Sequence, residues 1–216
     1  MNNDPYRRVA GIYDRLFEPL NQGLRVLGFR MFLPKRGARV LDVGCGTGTH
    51  LEMYRKFGCE LYGIDTSAAM VARAKARLGP DADLRLVDAT DMPFDGGFFD
   101  LVLSMLALHE MEDDMRTAVL SEIGRVLKPD GRALFIDFHA GKPTLFRGWP
   151  SKLVIVLSEI AAGRRHFTNY RHFMSIGGLP ALIERGAFDI EKTKIVGENT
   201  LALYLVRPMR HEPEGT

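Results

Sequence analysis

The stretch Val40-Leu41-Asp42-Val43-Gly44-Cys45-Gly46-Thr47-Gly48-Thr49 decides the fold. It starts as an apolar, β-branched strand that carries one acid, and it then breaks into three glycines at alternate positions. Glycines at such a point let the backbone approach a ligand without side chains in the way. Because open α/β sheets bind ligands at the carboxyl ends of their strands, this stretch predicts a small-molecule site.

The glycine spacing restricts the kind of ligand. Dinucleotide-binding loops read G-x-G-x-x-G, whereas Gly44, Gly46 and Gly48 follow a pattern one residue shorter, with Asp42 two residues before it. A carboxylate there would repel a pyrophosphate and would favour a ligand with a cationic end. S-adenosylmethionine has such an end in its ammonium and sulfonium groups. The spacing therefore argues against a nicotinamide-dependent dehydrogenase.

The composition is that of a soluble globular protein. The chain has 216 residues, of which 26% are charged and 46% hydrophobic, enough for one well-buried domain. A net charge of +2 is too small to indicate a nucleic-acid partner. No signal peptide or membrane span is predicted. Only two cysteines occur, so we expect a disulfide-free, cytoplasmic protein and predict no metal site.

Helices and strands alternate along most of the chain, as the hydrophobic periodicity shows. Strands are predicted over residues 39–43, 60–64, 84–87, 100–104, 132–138, 190–196 and 201–206. Helices are predicted over residues 5–33, 48–57, 67–78, 114–127, 151–162 and 178–185. Residues 128–131 read as a turn. Alternation predicts a parallel sheet, but the last two strands are joined so tightly that they must be antiparallel neighbours.

Two further acids end predicted strands. Asp65 lies 21 residues after Gly44, where a carboxylate can accept hydrogen bonds from both hydroxyls of a ribose. Asp88 follows the third strand and could accept from the exocyclic amine of an adenine, while the backbone of Ala89 donates. The alternatives are that Asp65 only caps the next helix and that Asp88 is a loop acid without a ligand.

This series of strand-end acids around a G-x-G-x-G loop resembles the class I S-adenosylmethionine-dependent methyltransferases. The resemblance implies that Asp42 and the glycine loop hold the methionine end of the cofactor, Asp65 the ribose, and Asp88 with Ala89 the adenine. S-adenosylhomocysteine would be the product. The residues assigned to the cofactor on this basis are Tyr13, Asp42, Gly44, Cys45, Gly46, Gly48, Asp65, Thr66, Met70, Asp88, Ala89 and Ser104.

The N-terminal stretch Val9-Ala10-Gly11-Ile12-Tyr13-Asp14 is similar to the lid segment of one branch of this family. That branch includes the ubiquinone/menaquinone C-methyltransferases and the bacterial phospholipid N-methyltransferases. The resemblance implies that Tyr13 closes over the cofactor. The alternative is a tyrosine that faces the core from an amphipathic helix.

The methyl acceptor is less well defined. The exit of the fourth strand, Ser104-Met105-Leu106-Ala107, lacks the Asp/Asn-Pro-Pro-aromatic box of methyltransferases that act on nucleic-acid amines or glutamine. His109 and His139 follow the fourth and fifth strands and are the candidate catalytic residues, as a general base or to steer the acceptor. Local packing is the alternative for His109.

Residues 138–178 combine apolar and basic side chains, which suits an amphiphilic acceptor with an acidic head, such as a lipid or a quinone precursor. The alternative is an amphipathic helix that covers the sheet, with Arg164 and Arg165 at its cationic carboxyl end. We expect in-line methyl transfer to a small-molecule or lipid-like acceptor, with peripheral membrane contact possible. An S-adenosylmethionine-binding regulatory module and a methyltransferase of protein or nucleic acid are the other functions considered.

The predicted fold class is α/β: a single Rossmann-like, doubly wound sheet of seven mostly parallel strands, the last antiparallel, with an N-terminal helical lid. One domain is predicted over residues 1–216. Its parts are residues 5–33 as the lid, 34–138 as the cofactor-binding core, 139–186 as an acceptor-lining insert with helices, 187–206 as the final strand pair, and 207–216 as a loose tail.

Overall fold

The computed structural model describes residues 10–141 and 163–209, with side chains in the first helix described from residue 21 onward. Its strands are β1 (Arg39–Val43), β2 (Glu60–Asp65), β3 (Ala82–Leu86), β4 (Phe99–Met105), β5 (Leu127–Phe138), β6 (Phe188–Val196) and β7 (Leu201–Pro208). Its helices are α1 (Ala10–Met31), α2 (Thr49–Arg55), α3 (Ala68–Leu78), α4 (Asp113–Val126), α5 (Arg164–Ser175) and α6 (Leu179–Arg185). Within these residues, no helix combines the length and apolarity that crossing a bilayer requires.

All seven strands form one sheet in the order β3-β2-β1-β4-β5-β7-β6. The first five are parallel neighbours, and β7 runs antiparallel to both β5 and β6. The predicted sheet, including its antiparallel last strand, is confirmed. Because β1 has β2 on one side and β4 on the other, the strand order reverses between β1 and β4, which is where doubly wound sheets bind their ligands.

Strand β1 lies in the centre of the hydrophobic core. Val40, Leu41 and Val43 are completely buried, as expected for a parallel strand that is covered on both faces. In the register of the sheet, Val43 pairs with Ile64 of β2 and with Ser104 of β4. The carboxyl ends of these three strands are therefore level with one another, and the residues that follow them meet at one edge.

Helix α5 was not predicted, and it corrects the interpretation of the basic residues near position 164. Arg164 and Arg165 lie at the start of this helix rather than at the carboxyl end of an earlier one. The predicted helix over residues 151–162 lies outside the described residues. Only Tyr170 and Phe173 of the twelve residues of α5 are buried, so its apolar face is short. The charged residues of this helix hide that short face in the sequence.

Two predicted boundaries were wrong at the ends of β5 and β7. The turn predicted over residues 128–131 belongs to β5, which starts directly after α4, and the pairing with β4 shifts register between Phe99 and Leu101. A side chain at Gly131 would lie 2.9 Å from the carbonyl oxygen of Phe99, so this glycine permits the close approach of the two strands. At the other end, β7 extends to Pro208 into the predicted loose tail.

A completely buried arginine joins the carboxyl side of β4 to α4 and α5. Arg116 donates from Nε to the carbonyl oxygen of Leu108 at 2.9 Å and from Nη2 to that of Asn169 at 2.8 Å. Its Nη1 lies 3.1 Å from Nδ1 of His172. A buried cation needs such partners to offset its desolvation, so Arg116 holds these three elements in a fixed arrangement.

We expect Arg116→Ala to lower the free energy of unfolding by about 3–5 kcal/mol, because the change leaves buried carbonyl groups without a donor. Arg185→Ala is the matched control, since Arg185 also contacts Asp113 but is exposed, and its loss should cost about 1 kcal/mol or less. Urea unfolding followed by circular dichroism measures both. Equal effects of the two substitutions would contradict the conclusion that Arg116 holds β4, α4 and α5 in a fixed arrangement.

Candidate cofactor and acceptor site

The glycine loop follows β1 in a conformation that favours glycine. Gly44, Gly46 and Gly48 have φ angles of 74°, 52° and 77°, all in the left-handed region. The backbone amides of Gly44 and Cys45 both donate to the carbonyl oxygen of Ile64, at 2.9 and 3.0 Å. The loop is therefore fixed against the end of β2, and its exposed first glycine leaves backbone accessible to a ligand.

The Asp65 carboxylate connects the glycine loop to the start of α3. Its Oδ2 accepts from the amide of Gly46 at 2.8 Å, and its Oδ1 accepts from the amide of Ser67 at 2.8 Å. A carboxylate offers about four acceptor positions, so these bonds are compatible with further acceptance from a ribose. Ser67 caps α3 with its side chain, which accepts from the amide of Met70 at 3.3 Å.

Asp42 is buried at the base of the loop, with 3% of its surface exposed. Burial raises the pKa of its carboxyl well above the ordinary value; nearby Arg25 opposes this shift and Asp65 adds to it. A cationic ligand strongly stabilises a carboxylate in such surroundings, because the attraction between opposite charges is strong where water is scarce. This electrostatic environment suits an ammonium or sulfonium group and disfavours a phosphate.

The other residues assigned to the cofactor lie at the same edge of the sheet. Asp88 is exposed and accepts at Oδ1 from the amide and the hydroxyl of Thr90, both at 2.9 Å, while the neighbouring Ala89 is buried. Ser104 is buried, and its hydroxyl finds no hydrogen-bond partner in the described part of the chain. Met70 is buried in α3.

Three of the predicted cofactor residues have more limited support. Tyr13 belongs to α1, but its side chain lies outside the described residues. Burial raises the pKa of the Cys45 thiol, so this cysteine stays protonated and contributes its backbone rather than a nucleophile. Thr66 is exposed between Asp65 and the helix cap. The roles of these three and of the other assigned residues toward the cofactor stay predictions.

His109 is held by a buried carboxylate that the sequence analysis did not select. Its Nδ1 lies 2.7 Å from Oδ1 of Asp137, and both side chains are at least 95% buried. Asp137 also accepts from the amides of Leu108 at 3.1 Å and of Phe138 at 2.8 Å. Asp137 was detectable in principle, because an acid inside the apolar run of β5 needs buried donors.

The His109 ring faces α5 and the end of β5. Ring centroids lie 4.7 Å from Phe138, 5.8 Å from His166 and 6.4 Å from Tyr170. This packed position agrees with the alternative of local packing and does not by itself assign a catalytic role.

His139, which follows β5, borders a small cavity that Tyr170, Met174 and Thr200 also line. The Nδ1 of His139 is buried and has no hydrogen-bond partner in the part of the chain that the structure describes. Burial lowers the pKa of this imidazole below its ordinary value, so its neutral, proton-accepting form prevails at pH 7. Of the two histidines, His139 is the one with the more accessible ring, since His109 is buried.

Comparison with known proteins assigns the chain to a family. Residues 40–131 match the family described as methyltransferase domain. The chain is 32% identical over 172 residues to demethylmenaquinone methyltransferase of Clavibacter sepedonicus, covering 73% of this chain and 69% of that protein. It is 34% identical over 140 residues to phosphatidylethanolamine N-methyltransferase of Cereibacter sphaeroides, covering 62% and 66%. Its matches to three other curated relatives cover about half of each relative's length.

A solved structure supports the fold. Geranyl diphosphate C-methyltransferase of Streptomyces coelicolor, solved with S-adenosyl-L-homocysteine, superposes with a TM-score of 0.63 at 16% identity, covering 89% of this chain and 80% of that one. The chain belongs to the class I S-adenosylmethionine-dependent methyltransferases. Within them it falls in the branch of quinone and phospholipid methyltransferases, so the resemblance read from the sequence is confirmed.

The buried Asp42 carboxyl yields a pH-dependent prediction. Since its pKa is higher in the folded than in the unfolded protein, the folded state binds more protons, and wild-type stability falls as pH rises from about 4 to the raised value. Asp42→Asn removes this fall, so its melting temperature relative to wild type increases with pH across that window. Affinity for S-adenosylhomocysteine should decrease at least tenfold.

Melting temperatures of ligand-free wild type and Asp42→Asn between pH 4 and 8, with calorimetric titration at pH 8, measure both effects. Asp83→Asn, which removes an exposed carboxylate, is the control and should leave both quantities close to wild type. A difference in melting temperature between wild type and Asp42→Asn that stays constant from pH 4 to pH 8 would contradict the conclusion that the Asp42 carboxyl is buried with a raised pKa.

Proposed function

We propose that the chain transfers a methyl group from S-adenosylmethionine to an amphiphilic, lipid or quinone-like acceptor. The observation that carries the donor half is the buried Asp42 carboxyl beneath a left-handed glycine loop that Asp65 holds in place. This arrangement lies where the strand order reverses, at the carboxyl ends of β1, β2 and β4.

The residues of the loop fit the cofactor by shape and charge. Asp42 would face the cationic methionine end, the backbone of Gly44 to Gly48 would surround it, and Asp65 would accept from the ribose hydroxyls. A side chain at Gly44 would come within 3.0 Å of Cβ of Ala107, so any other residue would crowd this point. The bound cofactor supplies an activated methyl group on a sulfonium, which is displaced in line by the acceptor.

The protein's contribution to such a displacement is chiefly to hold the acceptor in line and to exclude water. A base is needed only when the acceptor atom carries a proton. His139 is our candidate for that role, because its neutral ring borders the cavity beside Tyr170. His109 is enclosed between Asp137 and α5, so we assign it a positioning role on the acceptor side.

The acceptor half of the proposal rests on α5 and on the family branch. Phe167, Tyr170, Phe173 and Met174 give this helix an apolar side that packs against the core. Its other side carries Arg164, Arg165 and Arg171, of which Arg165 pairs with Glu112 at 2.8 Å while its side chain stays 79% exposed. An apolar wall beside cations suits a lipid with an anionic head, in keeping with the quinone and phospholipid acceptors in the relatives' names.

We expect Asp65→Ala to weaken binding of S-adenosylhomocysteine at least tenfold, because both the ribose acceptor and the Gly46 hydrogen bond are lost. Asp83→Ala is the matched control: the Asp83 carboxylate pairs with Arg85 two residues along the same strand, β3, so its loss should leave the affinity unchanged. Isothermal titration calorimetry measures both. An Asp65→Ala protein that is folded and binds with wild-type affinity would remove Asp65 from the cofactor site.

The transfer itself is tested with tritium-labelled S-adenosylmethionine and three acceptor mixtures: vesicles that contain phosphatidylethanolamine and demethylmenaquinone, total cellular RNA, and total cellular protein. We predict label in the organic phase of the vesicle mixture, reduced at least tenfold by Asp65→Ala. Label only in RNA or protein would favour a macromolecular acceptor. Cofactor binding with no transfer to any cell fraction would favour a regulatory module.

A further inference from the structure

We propose that the chain binds one divalent transition-metal ion of the zinc class through His109, Glu110 and His166. One potential ligand atom from each of these side chains lies within 4.8 Å of the other two. Among these atoms, Oε1 of Glu110 and Nε2 of His166 lie 3.0 Å apart. These residues come from two separate segments, the 3-10 turn Leu108–Glu110 and helix α5.

The separations suit a metal with short bonds. Zinc binds imidazole nitrogen and carboxylate oxygen at about 2.0–2.2 Å, which places two ligand atoms of a tetrahedral site about 3.3–3.5 Å apart. The Glu110–His166 separation already falls close to this range. Both of these side chains retain partial exposure, 30% and 19%, so they can adjust toward His109 and an ion can enter from solvent.

Asp137 prepares His109 as a ligand. The Asp137 carboxylate accepts hydrogen bonds from backbone amides. It accepts in the same way from Nδ1 of His109, which lies 2.7 Å from Oδ1, so Nδ1 carries the ring hydrogen. The lone pair then lies on Nε2, the form in which imidazole binds a metal. A carboxylate behind a ligating histidine is the usual outer partner in zinc sites, where it fixes the tautomer and the ring orientation.

The two ligand-bearing segments are fixed relative to each other without any ion. Asn169 of α5 donates from Nδ2 to the carbonyl oxygen of Glu110 at 2.6 Å. Arg116 in turn donates to the carbonyl oxygens of Asn169 and Leu108. Since the backbone positions are held by these buried bonds, binding an ion would need side-chain adjustment only, which keeps the entropic cost small.

Two imidazoles and one carboxylate define the class of ion. Mg²⁺ and Ca²⁺ prefer sites made of oxygen ligands, whereas this mixed set suits Zn²⁺ and its neighbours Co²⁺ and Ni²⁺. Three protein ligands leave one position open, as in catalytic zinc sites. An oxygen donor, from water or from an anionic ligand group, would complete the coordination.

Metal-free, tag-free full-length protein, prepared by dialysis against a chelator, is titrated with Zn²⁺ by calorimetry and with Co²⁺ by visible absorbance. We predict one ion per chain and the intense Co²⁺ bands of a four-coordinate site. His166→Ala and Glu110→Gln should weaken binding at least tenfold, and Asp137→Asn by about 10–100-fold.

Ser175→Ala is the matched control, because Ser175 lies on the same helix, is exposed and is not among the three ligands; it should keep wild-type affinity. His166 is partly exposed, so His166→Ala gives the decisive result even where a buried variant fails to fold. Wild type without stoichiometric binding, or unchanged affinity in folded His166→Ala, would overturn the proposal. The readout is metal binding alone, so it stands or fails independently of methyl transfer.

Discussion

The rest of the site depends on two hydrogen bonds that the carboxylate of Asp65 accepts. Its two oxygens accept from the amides of Gly46 and Ser67, one in the glycine loop and one at the start of α3. The sheet register brings these two segments to the same level by pairing Val43 with Ile64. A single side chain thus fixes the glycine loop, which we propose to surround the methyl donor, and orients the start of α3.

A second buried network shapes the acceptor side. Asp137 holds His109, and Arg116 joins the turn after β4 to α5. Both networks lie at the carboxyl edge of the sheet, one on each side of the point where the strand order reverses. The site that we propose therefore has two halves, one for the cofactor and one for the acceptor, each held by its own hydrogen-bond network.

The sequence predicted the donor half better than the acceptor half, for a physical reason. Asp42 lies near the carboxyl end of β1 and Asp65 ends β2. The alternation of strand and helix brings strand ends together at one edge, so local patterns suffice. Glu110 and His166 are 56 residues apart and meet only because α5 packs on the turn after β4, a tertiary contact that no short-range spacing records. Helix α5 itself was missed because its charges hide a short apolar face.

The central claim is that this loop selects a nucleoside with an ammonium-bearing amino-acid end rather than a dinucleotide. Isothermal titration calorimetry of the wild-type chain with S-adenosylhomocysteine, and separately with NAD⁺ and NADH, tests it most directly. The account predicts one molecule of S-adenosylhomocysteine bound per chain with a dissociation constant in the micromolar range or below, and no heat of binding for either dinucleotide. Saturable binding of a dinucleotide, with none of S-adenosylhomocysteine, would contradict it.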